Sequence, residues 1–297
     1  MFLSKINSHN RDKNIIFTEE GHKYTILCDQ NTKYTSVTTW CHSHFPKFDA
    51  DKVIDGMMRG KGWKEGHKYW GMTKEEIKAQ WSNNGSSVSS AGTDLHYRIE
   101  CFMNHTFPNG EKLKEEVPCS LLHRDLLTMP IAVDPGDVPE WTFFLNFVRD
   151  HPDMRPYRTE WLIFNEDIKL AGSIDMVYEN EDGTLSIYDW KRCKQITKVN
   201  TFNKFAITEA ICELPDSNFW HYSLQLNTYK SILELKYGKM VRDMYLVQLH
   251  PEAEDGNYML YPVPDMSPVI LELFTTLERK WNKTREVANM FAKDYKK

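Results

Sequence analysis

A chain of 297 residues, 41% hydrophobic and 27% charged, is long enough to bury a substantial core and has the balance of a soluble globular protein, not of a disordered or fibrous one. Its formal net charge of −5 excludes a surface coated in basic residues for nonspecific duplex binding, while leaving room for a locally basic groove. No apolar run approaches the length of a membrane span, and Met1-Phe2-Leu3-Ser4-Lys5 turns polar without an apolar signal core, so an intracellular, non-secreted protein without a membrane anchor is expected.

Residues 33–40 (KYTSVTTW) are rich in β-branched and aromatic side chains and read as a strand or a strand-to-helix entry. A short helix is expected over 51–58. Thr73-x-x-Glu76 is a capping box that opens a helix reaching about Trp81. The stretch 83–90 (NNGSSVSS) reads as a loop or hinge. Thr93 then caps a second helix, whose Leu95, Ile99 and Phe102 form an apolar stripe and leave His96 and Glu100 one turn apart on an adjoining face. Glu100 is expected there as a hydrogen-bond partner of His96 or as a helix-face charge. Residues 108–139, rich in Pro, Gly and charge, read as an irregular insertion with one short helix near 121–127.

A helix over 140–150 turns Phe144, Phe147 and Val148 inward. A three-stranded meander follows at 157–164, 168–178 and 184–191, with turn signals at Asn165-Glu166-Asp167 and Asp182-Gly183. A helix over 218–235 carries Gln225 and Tyr229 one turn apart, and 243–250 reads as a strand. Pro268, followed by Ile270, Leu273, Phe274, Leu277 and Trp281, opens a long amphipathic C-terminal helix. This order predicts an α/β fold with a mixed β-sheet flanked by helices. Residues 1–90 are expected as a helical N-terminal decoration that packs on the core and shapes a channel. Residues 91–297 are expected to supply the core itself, the two parts forming one compact unit.

Chemistry concentrates in Gly172-Ser173-Ile174-Asp175 and, one turn later, Tyr188-Asp189-Trp190-Lys191. Side chains alternate along a strand, so Asp189 and Lys191 share a face, and a hairpin brings Asp175 beside them. A carboxylate within Ile-Asp-Met-Val needs a partner or a metal. Two anionic oxygen ligands beside a cation suit Mg²⁺-dependent phosphodiester hydrolysis, the carboxylates holding the metal and the lysine steering the attacking water. Lys191, Arg192, Lys194, Lys198 and Lys204 gather just after the second strand, either as a solvated loop or where phosphates arrive. Trp40, Trp63, Tyr69, Trp70 and Trp81 read either as a second hydrophobic core or as a platform for unpaired bases. The six cysteines include no CxxC, and Cys41-x-x-His44 with neighbouring His42 lacks a second pair, so neither a disulfide framework nor a zinc site is indicated.

In chain order, His96, Glu160, Asp175, Asp189-x-Lys191 and Gln225-x-x-x-Tyr229 resemble the RecB-type branch of the PD-(D/E)xK nucleases, the branch that includes the mitochondrial genome-maintenance exonuclease. The resemblance runs from about Tyr34, through Ser36-Val37-Thr38, to about His250. It implies a restriction-endonuclease-like core in which His96, Asp175 and Asp189 ligate Mg²⁺ or Mn²⁺ and Lys191 orients the hydrolytic water. It also implies that Gln225 and Tyr229 line the site and hold the nucleic-acid strand, with Glu160 a further acidic position of the catalytic set. Arg192 and Lys194 are candidate nucleic-acid contacts. The superfamily's proline before the first aspartate is replaced by Ile174, and no cysteine follows Cys212, so no iron–sulfur cluster is expected. The implied activity is a metal-dependent deoxyribonuclease, an exonuclease on single-stranded DNA or DNA ends that leaves a 5′-phosphate and a 3′-hydroxyl. Its setting would be DNA repair, recombination or replication, with replication or recombination proteins as partners. Alternatives are a structure-selective endonuclease on the same core and an inactive nuclease-fold module that binds nucleic acid.

Overall fold

In chain order, a computed structural model describes residues 1–106, 121–128 and 138–294, the last helix by its backbone alone beyond residue 286. A short helix α1 (Phe2–Ile6) and a hairpin of β1 (Ile15–Thr18) and β2 (Lys23–Ile26) precede β3 (Thr35–Ser36), which runs directly into α2 (Val37–His42). The strand-to-helix entry expected near residue 36 is therefore present, with the Ser36 hydroxyl accepting the Thr39 N–H as N-cap. Then come α3 (Ala50–Arg59), α4 (Lys74–Met103), α5 (His123–Thr128) and α6 (Pro139–Asp150). Residues 108–120 and 129–137 of the expected 108–139 insertion lie outside the described residues.

The meander is β4 (Arg155–Asn165), β5 (Leu170–Glu179) and β6 (Leu185–Lys191), all antiparallel. A crossover through α7 (Asn218–Tyr237) returns the chain parallel to β6 as β7 (Val241–Gln248), and β8 (Met259–Pro262) closes the edge. α7 stops where Gly238 adopts φ 61°, a left-handed cap that glycine takes without a Cβ penalty. The long helix α8 (Ser267–Asp294) ends the described chain. The fold is thus mixed α/β: a six-stranded mixed sheet in the order β3-β5-β6-β7-β8, with β4 beside β5, flanked by helices.

Alternation along β6 divides the core. Leu185 and Ile187 face α2, α7 and α8, whereas Tyr188 and Trp190 face the cluster built by α4, α5 and α6. β4 lines one edge of β5 along its length, so β3 and β6 share the other edge. β3 pairs only at Leu170 and Ala171, and β6 only from Met176 onward. Between these contacts, 172–175 have no strand partner on that edge, and the sheet opens into a fork.

One expectation fails. Residues 83–90 form no hinge: α4 is continuous over its 30 residues, about 45 Å at 1.5 Å per residue, and Thr93 lies inside it with its hydroxyl donating to the Ser89 carbonyl. The capping box at Thr73 and Glu76 is present at one end, and Leu95, Ile99 and Phe102 are buried at the other. Two anchored ends carry the helix across Ser82 to Ser90, which are exposed all round and of low helix propensity. Residue 90 therefore lies within one element, and β3 of the N-terminal part pairs into the main sheet.

Candidate active site

A gap in a sheet lets side chains from its two faces meet, and the fork beside β5, between β3 and β6, is such a gap. Asp175 stands at its edge, just before the first β5–β6 pair, Met176 with Tyr188. Where the ladder would continue, the Trp190 N–H donates instead to Asp175 Oδ2 at 3.1 Å. From the α4 side comes His96, whose Nε2 lies 2.9 Å from the Trp190 carbonyl. A carbonyl only accepts, so Nε2 carries a proton and Nδ1 is the ring atom turned toward the carboxylates. Nδ1 lies 3.5 Å from Asp175 Oδ2 and 3.9 Å from Glu160 Oε1. A bare Nδ1 there would oppose the two carboxyl groups, an opposition that a proton on the ring or a cation among the three relieves.

Glu160 lies across the ladder from Asp175, between the pairs Thr159–Met176 and Trp161–Ile174. Its φ is 43°, a left-handed conformation inside a strand at a residue other than glycine, which costs about 1–3 kcal/mol and persists only where the surroundings enforce it. The Ser173 hydroxyl donates to its Oε2 at 2.7 Å. Desolvation first, and the Asp175 charge second, hold the Glu160 carboxyl well above the usual range. His96, Glu160 and Asp175 each offer a ligand atom within 4.8 Å of the others, the one such group of three or more among the described residues.

Asp189 and Lys191 share a face as the alternation requires, with Lys191 Nζ 2.5 Å from Asp189 Oδ2. Asp189 is 1% exposed, and despite that contact neither of its oxygens has a hydrogen bond of acceptable geometry. Burial, then Asp175, push its carboxyl up against the opposing pull of Lys191. Burial alone would lower the Lys191 ammonium, but Asp189 and Asp175 outweigh it and keep the lysine charged; its Nζ also sits 4.3 Å above the Tyr222 ring. Asp189 lies outside the tight group of His96, Glu160 and Asp175 but close enough to bear on the protonation of Glu160.

From α7, the Gln225 amide donates to the Tyr229 hydroxyl at 3.2 Å, and both residues are buried. The Tyr229 ring lies against the β5 backbone where the strand partner is missing. A Cβ on Gly172 would stand 2.7 Å from Tyr229 Cε1, so the glycine of Gly-Ser-Ile-Asp is a requirement of packing. Burial and the nearby Asp175 raise the Tyr229 phenol well above its usual value.

The remaining candidates sit further out. Arg192 is committed to Glu140 of α6 at 2.7 Å, a sheltered pair, whereas Lys194 pairs with Glu252 on the surface. Glu100 is neither of His96's ring partners; burial raises its carboxyl, and it adds to the charge around Glu160. Trp40 is buried in the main core, while Trp81 donates to the Tyr69 hydroxyl at 2.9 Å and Trp63 packs on Trp70, half of which is exposed. Cys41, His42 and His44 point to separate partners: Thr228, His221 and Thr208.

Two contributors escape a reading of the sequence. Tyr24, on the β1–β2 hairpin, has its phenol pushed up to about 12 by burial and then by Glu160 and Asp175. The signal was available in IIFT and KYTI flanking Gly21, which is hairpin patterning. Trp190 holds two of the three clustered groups through its backbone, and no residue-type pattern signals that.

No protein-family model matches the chain, and no curated protein matches it either. Among the described residues, no helix is long and apolar enough to cross a membrane.

Proposed function

We propose that the protein is a divalent-cation-dependent deoxyribonuclease, an exonuclease acting on single-stranded DNA or DNA ends. The observation that carries this reading is His96 Nδ1, its ring oriented by the Nε2 contact with the Trp190 carbonyl, turned on Asp175 and Glu160 with Asp189 and Lys191 alongside. Four acidic or imidazole groups drawn into a fork, two of them held above their ordinary protonation range, are costly for a fold that gains nothing from a cation there.

The donor set fits Mg²⁺ or Mn²⁺: carboxylate oxygens suit both, and an imidazole nitrogen favours Mn²⁺. His96, Asp175 and Glu160 would hold the ion, with Asp189 at its flank. When bound, the ion supplies charge to the scissile phosphate and lowers the cost of forming a nucleophile near neutral pH. Lys191 remains charged beside Asp189 and donates to the hydrolytic water, orienting it toward phosphorus. Tyr229 and Gln225 close the α7 side of the cleft and fix its width.

Incubation of linear and circular single-stranded DNA with Mg²⁺ or Mn²⁺, beside Asp189→Asn, tests the reading. Mononucleotide release from linear DNA by the native chain alone is expected. Rapid cutting of circles would make it an endonuclease. Equal inertness of both proteins, with binding retained, would make it a nucleic-acid-binding module.

A further inference from the structure

α7 does not stop contributing at Gln225. His221, Gln225 and Tyr229 are spaced at successive fourth positions, so they form one stripe, and His221 stands about 12 Å along the axis from Tyr229 toward the helix N-terminus. His221 is built into a chain of three groups. Its Nε2 lies 2.8 Å from Asp216 Oδ1, and its Nδ1 lies 2.8 Å from Nδ1 of His42, the last residue of α2. Phe45 stacks on the His221 ring at 3.8 Å and 22° and fixes its plane, and the Asn200 amide donates to the Asp216 carbonyl. Asp216 and His221 are sheltered, with side chains 19% and 15% exposed, whereas His42 is open to solvent. The next residue along α7, Tyr222, carries the Lys191 ammonium over its ring, which ties this end of the helix to the cleft.

The proton count follows from the partners. Asp216 accepts, so His221 Nε2 bears a proton. With both rings neutral, His42 Nδ1–H donates to bare His221 Nδ1, and His42 Nε2 shows solvent a lone pair. One proton added at that Nε2 makes a donor of it and takes the net charge of the trio from −1 to 0. The Nδ1 proton can then sit on either ring, with Asp216 balancing the positive charge from the sheltered end. The titratable groups bearing on His42 are His221 and Lys191, which oppose that proton together with partial burial, and Asp216, which favours it. An anion at Nε2 adds the missing inducement, and the positive end of α7 favours the same charge.

We infer that Asp216, His221 and His42 form a phosphate subsite, in which His42 Nε2–H donates to a backbone phosphate flanking the scissile one. This rests on the nuclease reading above and extends its cleft along α7 to the end of α2. His42 is a binding residue; His221 and Asp216 act through it as positioning residues.

Steady-state cleavage of a single-stranded oligonucleotide, compared between the native chain, His42→Gln, His42→Lys and Asp216→Asn, tests the subsite. For His42→Gln, KM should rise about tenfold, the scale of one hydrogen bond to a charged group, with kcat within about twofold. The slope of log binding against log salt should fall by about 0.7, the value for one phosphate on a single strand. His42→Lys should restore KM at alkaline pH, where the native imidazole is neutral. For Asp216→Asn, the pH above which KM worsens should move down. A neutral methylphosphonate at the flanking position should weaken the native protein and leave His42→Gln unchanged. A methylphosphonate penalty undiminished in His42→Gln, or a fall in kcat with KM unaltered, overturns the subsite while leaving the nuclease standing. A native chain that neither cuts nor binds DNA removes both.

Discussion

Gly172→Ala probes how closely the α7 side of the cleft is packed on the open edge of β5. The added methyl would lie 2.7 Å from Tyr229 Cε1, 3.2 Å from its hydroxyl oxygen and 3.3 Å from Val37 Cγ2. Ordinary carbon contacts are about 3.5–4.0 Å, so the ring must retreat by about 1 Å. Tyr229 is 2% exposed and held by Gln225, so it has little room to move. Overpacking of this kind costs about 1–3 kcal/mol, against about 0.4–1 kcal/mol recovered because alanine restricts the unfolded chain. A net loss of about 1–2 kcal/mol is expected in urea unfolding at an unchanged denaturant slope, together with weakened cleavage, since the displaced ring borders Asp175. In a Tyr229→Leu background the obstructing ring is gone, and the cost of Gly172→Ala should shrink to within about 0.5 kcal/mol of zero. An equal cost in both backgrounds would show that the ring is not what the glycine accommodates.

Other consequences are as direct. Glu160 and Asp189 have folded values above their ordinary 4.5 and 3.8, so between those values and the raised ones the folded protein holds more protons than the unfolded chain. Metal-free stability should therefore decline as pH rises from about 5 to about 8, and Mn²⁺ should raise the melting temperature more at the higher pH; a metal effect larger at pH 5 contradicts this. Glu160→Asn removes a crowded carboxylate and tolerates the left-handed backbone. It should stabilise the metal-free protein by about 1 kcal/mol while abolishing the Mn²⁺-induced shift, and a destabilised variant would refute the strain. Gly85→Ala and Gly92→Ala meet nothing within 4 Å and lie inside α4, so each should stabilise the protein by about 1 kcal/mol in urea unfolding; no gain would return this stretch to a hinge.

Alternation made the meander legible, and with it the pairing of Asp189 with Lys191 on one face, because a period of two leaves no other option. The C-terminal helix was legible for the same reason, read at the helical period through Ile270, Leu273, Phe274, Leu277 and Trp281. What stayed hidden has specific causes. The middle of α4 is written in residues that favour loops, and only the anchoring of Ile77 at one end and Leu95 and Ile99 at the other overrides them. The place of Glu160 beside His96 depends on a backbone angle that its side-chain type does not announce. Arg192 reads as a free cation until Glu140, 52 positions earlier, is seen to claim it.

Trp190 carries a last implication. Its peptide grips Asp175 with the N–H and His96 with the carbonyl, while its indole is wedged edge-on between Phe144 and Phe147 of α6. The alignment of the clustered groups is thus set by hydrocarbon on the α4–α6 side of the sheet, the side from which His96 comes. A trimmed ring at Phe144 would shift Asp175 and His96 through one amide unit, so on the nuclease reading proposed above activity would respond to oily residues that no substrate would meet.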